Sequence, residues 1–173
     1  MTGAATIAGE VRQAARSRIL DALDRAGAAY RLFTHRPVMS YADADLARAE
    51  SGFTGTESKS MVLRKGNALL VSVILAGKQV DFKAIRAYLG GPKPRLATDA
   101  DLREHFGAEP GNAYPLGFDP RIPVCVDPEV FAQEWLLFSP AVPTQTVQVR
   151  GADLRAVYAL LGNPLEELRL SRG

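Results

Sequence analysis

Three observations predict a mixed α+β fold for this chain. Apolar residues recur at helical spacing near the start (Val11, Ala15, Ile19, Leu20, Leu23) and again near the end (Leu154, Val157, Tyr158, Leu161). In the middle, the apolar runs 60–64 and 68–75 flank Lys65-Gly66-Asn67, and Gly and Asn supply the positive φ that a β-hairpin turn needs. The other short apolar runs are too unevenly spaced for a repeat, and they alternate too poorly with helical segments for a doubly wound sheet.

Taken in order, the first helix stops near Gly27 and leads into a strand over Ala29 to Phe33. Residues 1–8 are expected to be a flexible N-terminus, residues 9–165 one domain, and residues 166–173 a C-terminal tail. Ser40-Tyr41-Ala42-Asp43 resembles a capping box with Asp in place of Glu, opening a short alanine-rich helix that ends near Ser51-Gly52. Phe53 to Thr56 forms the loop into the central hairpin. Asp81 can cap a helix that buries Phe82, Ile85 and Leu89 and is stopped by Gly90-Gly91-Pro92. Thr98 or Asp99 starts another, ending at Phe106-Gly107. Residues 124–126, 135–138 and 144–149 read as short strands, and 151–161 as the last helix.

The chain has 173 residues, 47% hydrophobic and 23% charged, which fits one domain with a substantial core. No apolar run approaches the roughly 20 residues of a membrane helix, and Met1-Thr-Gly-Ala-Ala-Thr6 has no signal-peptide pattern, so the expectation is a cytoplasmic protein. A single Cys125 excludes an internal disulfide. Two histidines far apart, His35 and His105, give no zinc spacing, so neither metal nor cofactor is expected. Cys125 lies in the apolar run 122–126 and reads as a small core residue rather than a nucleophile.

Net charge is only +2, but it is unevenly distributed. From Lys59 to Arg95 there are eight basic residues, among them Arg64, Lys65, Lys78, Lys83 and Lys93, against one acid, Asp81. Either these scatter over several solvated faces, or they form a basic flank able to hold the phosphates of a polyanion.

Two segments carry chemical interest. Gly107 to Phe118, with Gly107, Pro110, Gly111, Pro115 and Gly117, is a loop that exposes backbone: glycine permits positive φ and close approach, and proline fixes φ and removes a donor. Ser58-Lys59-Ser60 opens the first hairpin strand, where alternation puts Lys59 on one face and its serines on the other. Lys59 is either a strand-start lysine reaching solvent or a positioned charge beside a pocket.

These segments occur in a recognisable order: Phe33 to Val38 (apolar-His-x-Pro-Val), the Lys59 strand, a strand running to Gly77 and then Val80-Asp-Phe-Lys83, Arg95-Leu-Ala97, the Gly107 to Pro115 loop, and Pro123 to Asp127. The ordered set resembles the YbaK/ProX aminoacyl-tRNA deacylases, including the editing domain of bacterial prolyl-tRNA synthetases, over about Ser17 to Leu161. The resemblance implies a mixed, partly barrel-like sheet surrounded by helices, and hydrolysis of mischarged aminoacyl-tRNA in trans. It implies a catalytic role for Lys59, with Gly107, Gly111 and Pro115 lining the acyl pocket and His35 structural or at its mouth. It makes the acceptor end of tRNA the partner, with a synthetase as a second, and neither membrane nor DNA. The basic residues Arg64, Lys65, Lys78, Lys83 and Lys93 would then meet tRNA.

No nucleophile elbow accompanies either histidine, so a water positioned against the activated ester suffices as chemistry, and the resemblance adds that the terminal ribose hydroxyl helps to orient that water. Asp127 is either a family acid or the cap of a helix opening at Asp-Pro-Glu. Where alanine-editing members carry a His-Pro and a later Asn, this chain has Ser139 and Pro143, so the acyl group stays open. The alternatives are a noncatalytic tRNA- or synthetase-binding module and a small-molecule esterase.

Overall fold

The computed structural model describes residues 2–173. Helix α1 spans Thr2–Arg25, so residues 2–8 continue the helix where a flexible segment was expected; Met1 lies outside the described residues. Within this stretch the Ala8 carbonyl lies over Gly107, only 2.3 Å from where a Cβ would stand there.

Strand β1 (Tyr30–Thr34) follows, then α2 (Tyr41–Ser51). Ser40 caps α2 by accepting from the Asp43 N–H, while the Asp43 carboxylate accepts from the Met39 N–H, and Gly52 closes the helix at φ 73°. Next comes the hairpin of β2 (Thr56–Lys65) and β3 (Ala68–Leu75), in unbroken antiparallel register from Ser58 opposite Leu75 to Lys65 opposite Ala68. Then follow β4 (Gln79–Val80), α3 (Phe82–Leu89), β5 (Arg95–Leu96) and α4 (Asp99–Phe106). Asp81 caps α3 through two N–H groups, and Thr98 with Asp101 forms a full capping box on α4. The rest is β6 (Val124–Val126), α5 (Pro128–Phe131), β7 (Leu136–Phe138), β8 (Gln145–Val149), a 3₁₀ turn leading to α6 (Leu154–Leu161), β9 (Leu165–Glu167) and β10 (Ser171–Arg172).

The fold is the expected mixed sheet flanked by six helices. The main sheet runs β1-β8-β7-β2-β3-β6-β9, and β5 also pairs with β2; β4 and β10 form a separate ribbon. The pairs β2–β7, β3–β6 and β6–β9 are parallel and the others antiparallel. The expected C-terminal tail is thus part of the fold. Leu170 is fully buried, and the Asp127 carboxylate accepts from Leu170 N–H, Ser171 N–H and the Ser171 hydroxyl while also capping α5. Two or three residues per strand leave no periodicity to read in β4, β5, β9 and β10.

Two cores lie on opposite faces of the hairpin. Val62, Val71, Val73 and Leu75 face the main core with α1, α4, α6 and the 107–118 loop. Leu63, Leu70 and Ile74 face a second core with Ile85 of α3, Cys125 and Leu170. On its outer edge β2 pairs with β7 at Thr56 and Glu57, and with β5 at Leu63 and Arg64. Between these contacts the strand edge is open, and the cavity lies there.

Candidate active site

A cavity of about 340 Å³ is bounded by the Gly107 to Pro115 loop, by Ser58 and Ser60 of β2, by the β7–β8 turn, and by His35 and Phe53. Each wall follows from local sequence. Gly107 ends α4 in the left-handed region (φ 61°), where its N–H satisfies the last carbonyls of the helix. Glu109-Pro110-Gly111-Asn112 then turns, with the Asn112 N–H donating to Glu109 O at 3.0 Å and Gly111 at φ 86°. Proline at the second position and a positive-φ glycine at the third match a type II turn.

The loop is held from behind. The Tyr114 hydroxyl, buried and shifted upward in pKa by desolvation, donates to Phe106 O, and its ring packs among Phe106 and Phe118. The Tyr158 hydroxyl donates to Pro115 O at 2.8 Å. From α1, Arg12 Nη1 donates to Gly107 O at 2.7 Å and Arg18 Nε to Gly117 O at 2.9 Å. Arg12 also lines the cavity, as do Gly107, Gly111, Pro115 and His35 among the residues expected there.

Lys59 does not line it. The serines on either side do, because the regular register places Lys59 opposite Ile74, on the face of the second core. Lys59 is half-buried and makes no hydrogen bond or ion pair among the described residues. Ser60 contributes more than a side chain. Thr56 N–H donates to Trp135 O, and Val62 O accepts from Ala97 N–H, so alternate residues of β2 turn their main-chain groups to the outer edge. Ser60 shares that parity, and its N–H faces the opening between β7 and β5.

On the opposite wall, the His35 N–H donates to Thr144 O, and Val38 N–H donates to Pro143 O, tying the opening motif to the turn before β8. The ring of His35 lies 2.7 Å by Nδ1 from Arg36 O and 2.8 Å by Nε2 from the Thr146 hydroxyl. Phe53 stacks at a tilt on Phe33 and His35 and lines the cavity, whereas Tyr41 is exposed and does not. In the β7–β8 turn Ala141 holds φ 66°, unusual without glycine, and the Ser139 hydroxyl donates to Val142 O. Glu57 and Glu109 supply the acidic groups of the wall; Arg48 and Arg103 pair with them at 2.7 and 2.9 Å.

The basic residues expected to meet tRNA stand apart from the cavity. Arg64 forks onto Asp101 at 2.6 and 2.8 Å, Lys65 donates to the last carbonyls of α3, Lys78 pairs with Glu129, and Lys93 lies over the Phe82 ring. Lys83, on α3, makes no such contact among the described residues. Cys125 is buried, and desolvation pushes its thiol up to about 11, consistent with packing. No cluster of His, Cys, Asp or Glu among the described residues could hold a metal ion, and no helix among them is long and apolar enough to cross a membrane.

Sequence reasoning missed Ser58, Ser60, Arg12, Thr146 and Ala141. The serines were legible in principle, since alternation already separated them from Lys59. Arg12 and Thr146 were not, because only folding brings residues 95 and 111 positions away beside them.

Comparison with known proteins adds the family. The chain is 26% identical over 141 residues to the multifunctional Ser/Thr-tRNA deacylase ProXp-y of Escherichia coli K12, covering 79% of this chain and 83% of that protein. Its fold matches the crystal structure of hypothetical protein APE2540, with a TM-score of 0.70 at 18% identity over 90% of this chain and 99% of the other. It also matches a candidate trans-editing enzyme for prolyl tRNA synthetase, with a TM-score of 0.66 at 20% identity over 92% and 98%. Residues 35–157 match the aminoacyl-tRNA editing domain, and by that match over most of its length the chain belongs to this family.

Proposed function

We propose that the protein is a trans-editing hydrolase that removes a wrongly attached amino acid from tRNA. Aminoacyl-tRNA deacylation is the activity class of the family, and the observation that carries the reading here is the backbone-rich cavity formed by the Gly107 to Pro115 loop within the matched region. The acyl end enters this cavity, water adds to the ester carbonyl, and the bond to the terminal ribose oxygen breaks to give free amino acid and tRNA. Main-chain N–H groups aimed at the developing oxyanion stabilise it without reorganisation. In this reading the Ser60 N–H at the open strand edge does that work, and the Ser58 and Ser60 hydroxyls orient water. The relative's name makes Ser and Thr the first acyl groups to try.

Lys59 acts from the other face of β2 in this reading. Among the described residues its ammonium makes no hydrogen bond or ion pair, and it serves as a point charge for a phosphate of the acceptor end. An aminoacyl-tRNA synthetase is the second proposed partner, as the source of the mischarged product.

The test is a deacylation screen of the purified protein against tRNAs charged with Ala, Ser, Thr, Cys and Pro. Release from Ser- or Thr-tRNA well above the spontaneous rate supports the reading. No release from any, with tRNA still bound, makes the chain a noncatalytic binding module.

A further inference from the structure

We infer that Thr146, with its hydroxyl proton held by His35, reads the β-hydroxyl of the acyl group; the inference rests on the deacylase reading and deepens it. The argument begins at Arg36. Its carbonyl can only accept, so His35 Nδ1, at 2.7 Å, carries the hydrogen. In the neutral ring Nε2 is then an acceptor, and the Thr146 hydroxyl at 2.8 Å must be its donor. Thr146 therefore presents only lone pairs to the cavity that both residues line.

This polarity is built into the fold. Thr146 stands opposite Phe33 in the β1–β8 register, the His35 main chain is bonded to Thr144, and Phe53 packs against the ring. A fixed neutral acceptor on the cavity wall favours an acyl group bearing a neutral donor near the ester. A seryl or threonyl group has one on its β-carbon, and an alanyl group of nearly the same volume does not. Ser58 and Ser60 can serve as donor or acceptor and discriminate less, since their hydroxyls have no fixed partner among the described residues.

The experiment compares kcat/KM for one tRNA body charged with Ser or with Ala, using the full chain and the variants Thr146→Val, Thr146→Ser and His35→Ala. Wild type prefers Ser by about tenfold, the effect of one neutral hydrogen bond. Thr146→Val, isosteric and suited to a strand, brings the ratio close to one at an unchanged melting temperature. Thr146→Ser retains the preference, and His35→Ala weakens it by freeing the hydroxyl proton. An unchanged ratio in Thr146→Val overturns the inference alone. Absence of release from either substrate in wild type overturns the deacylase reading, and this inference with it.

Discussion

Arg12 Nη1 donates to the Gly107 carbonyl at 2.7 Å, joining a helix that precedes the matched family region to the loop that lines the cavity. The bond is charge-assisted and half-buried, and Arg18 repeats it six residues along the helix on Gly117. Helix α1 thereby templates both ends of the loop.

Removing the Arg12 guanidinium should let the loop carbonyl rotate away and reshape the cavity wall that Gly107 and Arg12 form. Hydrogen bonds to charged groups contribute about 1.5–3 kcal/mol, and small displacements at a reacting centre reduce rates strongly. Arg12→Ala is expected to lower kcat about tenfold with KM changed less, and Arg12→Lys to restore part of it. Steady-state kinetics check this; equal loss in both variants with a collapsed melting temperature would reduce Arg12 to a fold-stabilising contact.

Gly107 and Gly111 separate two demands on glycine. Both hold positive φ, but a Cβ at Gly107 would meet Ala8 O at 2.3 Å, whereas Gly111 has open space around it. Gly111→Ala should cost about 1 kcal/mol from backbone strain, and Gly107→Ala about 3 kcal/mol because α1 must also shift. Gly107→Ala should impair turnover more than tRNA binding. Urea unfolding and filter binding measure the two effects, and equal destabilisation of the two variants would mean that α1 yields freely.

Much of this was legible in the sequence where local chemistry decides the structure. Ser40, Asp81 and Thr98 cap the helices that their spacing announced, and Lys65-Gly66-Asn67 turns the central hairpin. The loop was legible because its glycines and prolines act through φ. The placement of Lys59 was not, because an alternating strand says that neighbours face apart and not which face is the cavity. That choice was made by tertiary packing, which put Ile74 and Cys125 behind the lysine and the loop over the serines. Charge counted along the chain likewise does not reveal Asp101, Glu129 and the carbonyls at the end of α3, which fold against Arg64, Lys78 and Lys65.

Asp127 couples the C-terminal ribbon to acid stability. Burial raises its pKa, but the N–H groups of Glu129, Leu170 and Ser171 and the Ser171 hydroxyl outweigh that and hold the carboxyl below its usual range. A depressed folded pKa means that this contribution is complete above the unfolded carboxylate value, near 4, and is lost as pH falls through the folded value. Asp127→Ala should cost about 3 kcal/mol at neutral pH, the sum of a lost cap and stranded N–H groups, with a smaller difference from wild type at about pH 3. Thermal melts across pH 3–7 check this, and a difference that grows on acidification would reverse the assigned sign.

Lys59 tests whether the acceptor end is held from outside the cavity. Because the lysine makes no hydrogen bond or ion pair among the described residues, Lys59→Ala should melt at the wild-type temperature. If its ammonium meets one phosphate, kcat/KM should fall at least tenfold, chiefly through KM. The slope of log affinity against log salt should also become shallower by about 0.7–0.9. Arg64→Ala and Lys78→Ala, which break internal ion pairs, should instead lower stability and leave the slope almost unchanged. A loss confined to kcat, with the salt slope intact, would show that the lysine reaches the ester itself when tRNA is bound, and that β2 changes its twist to bring it there.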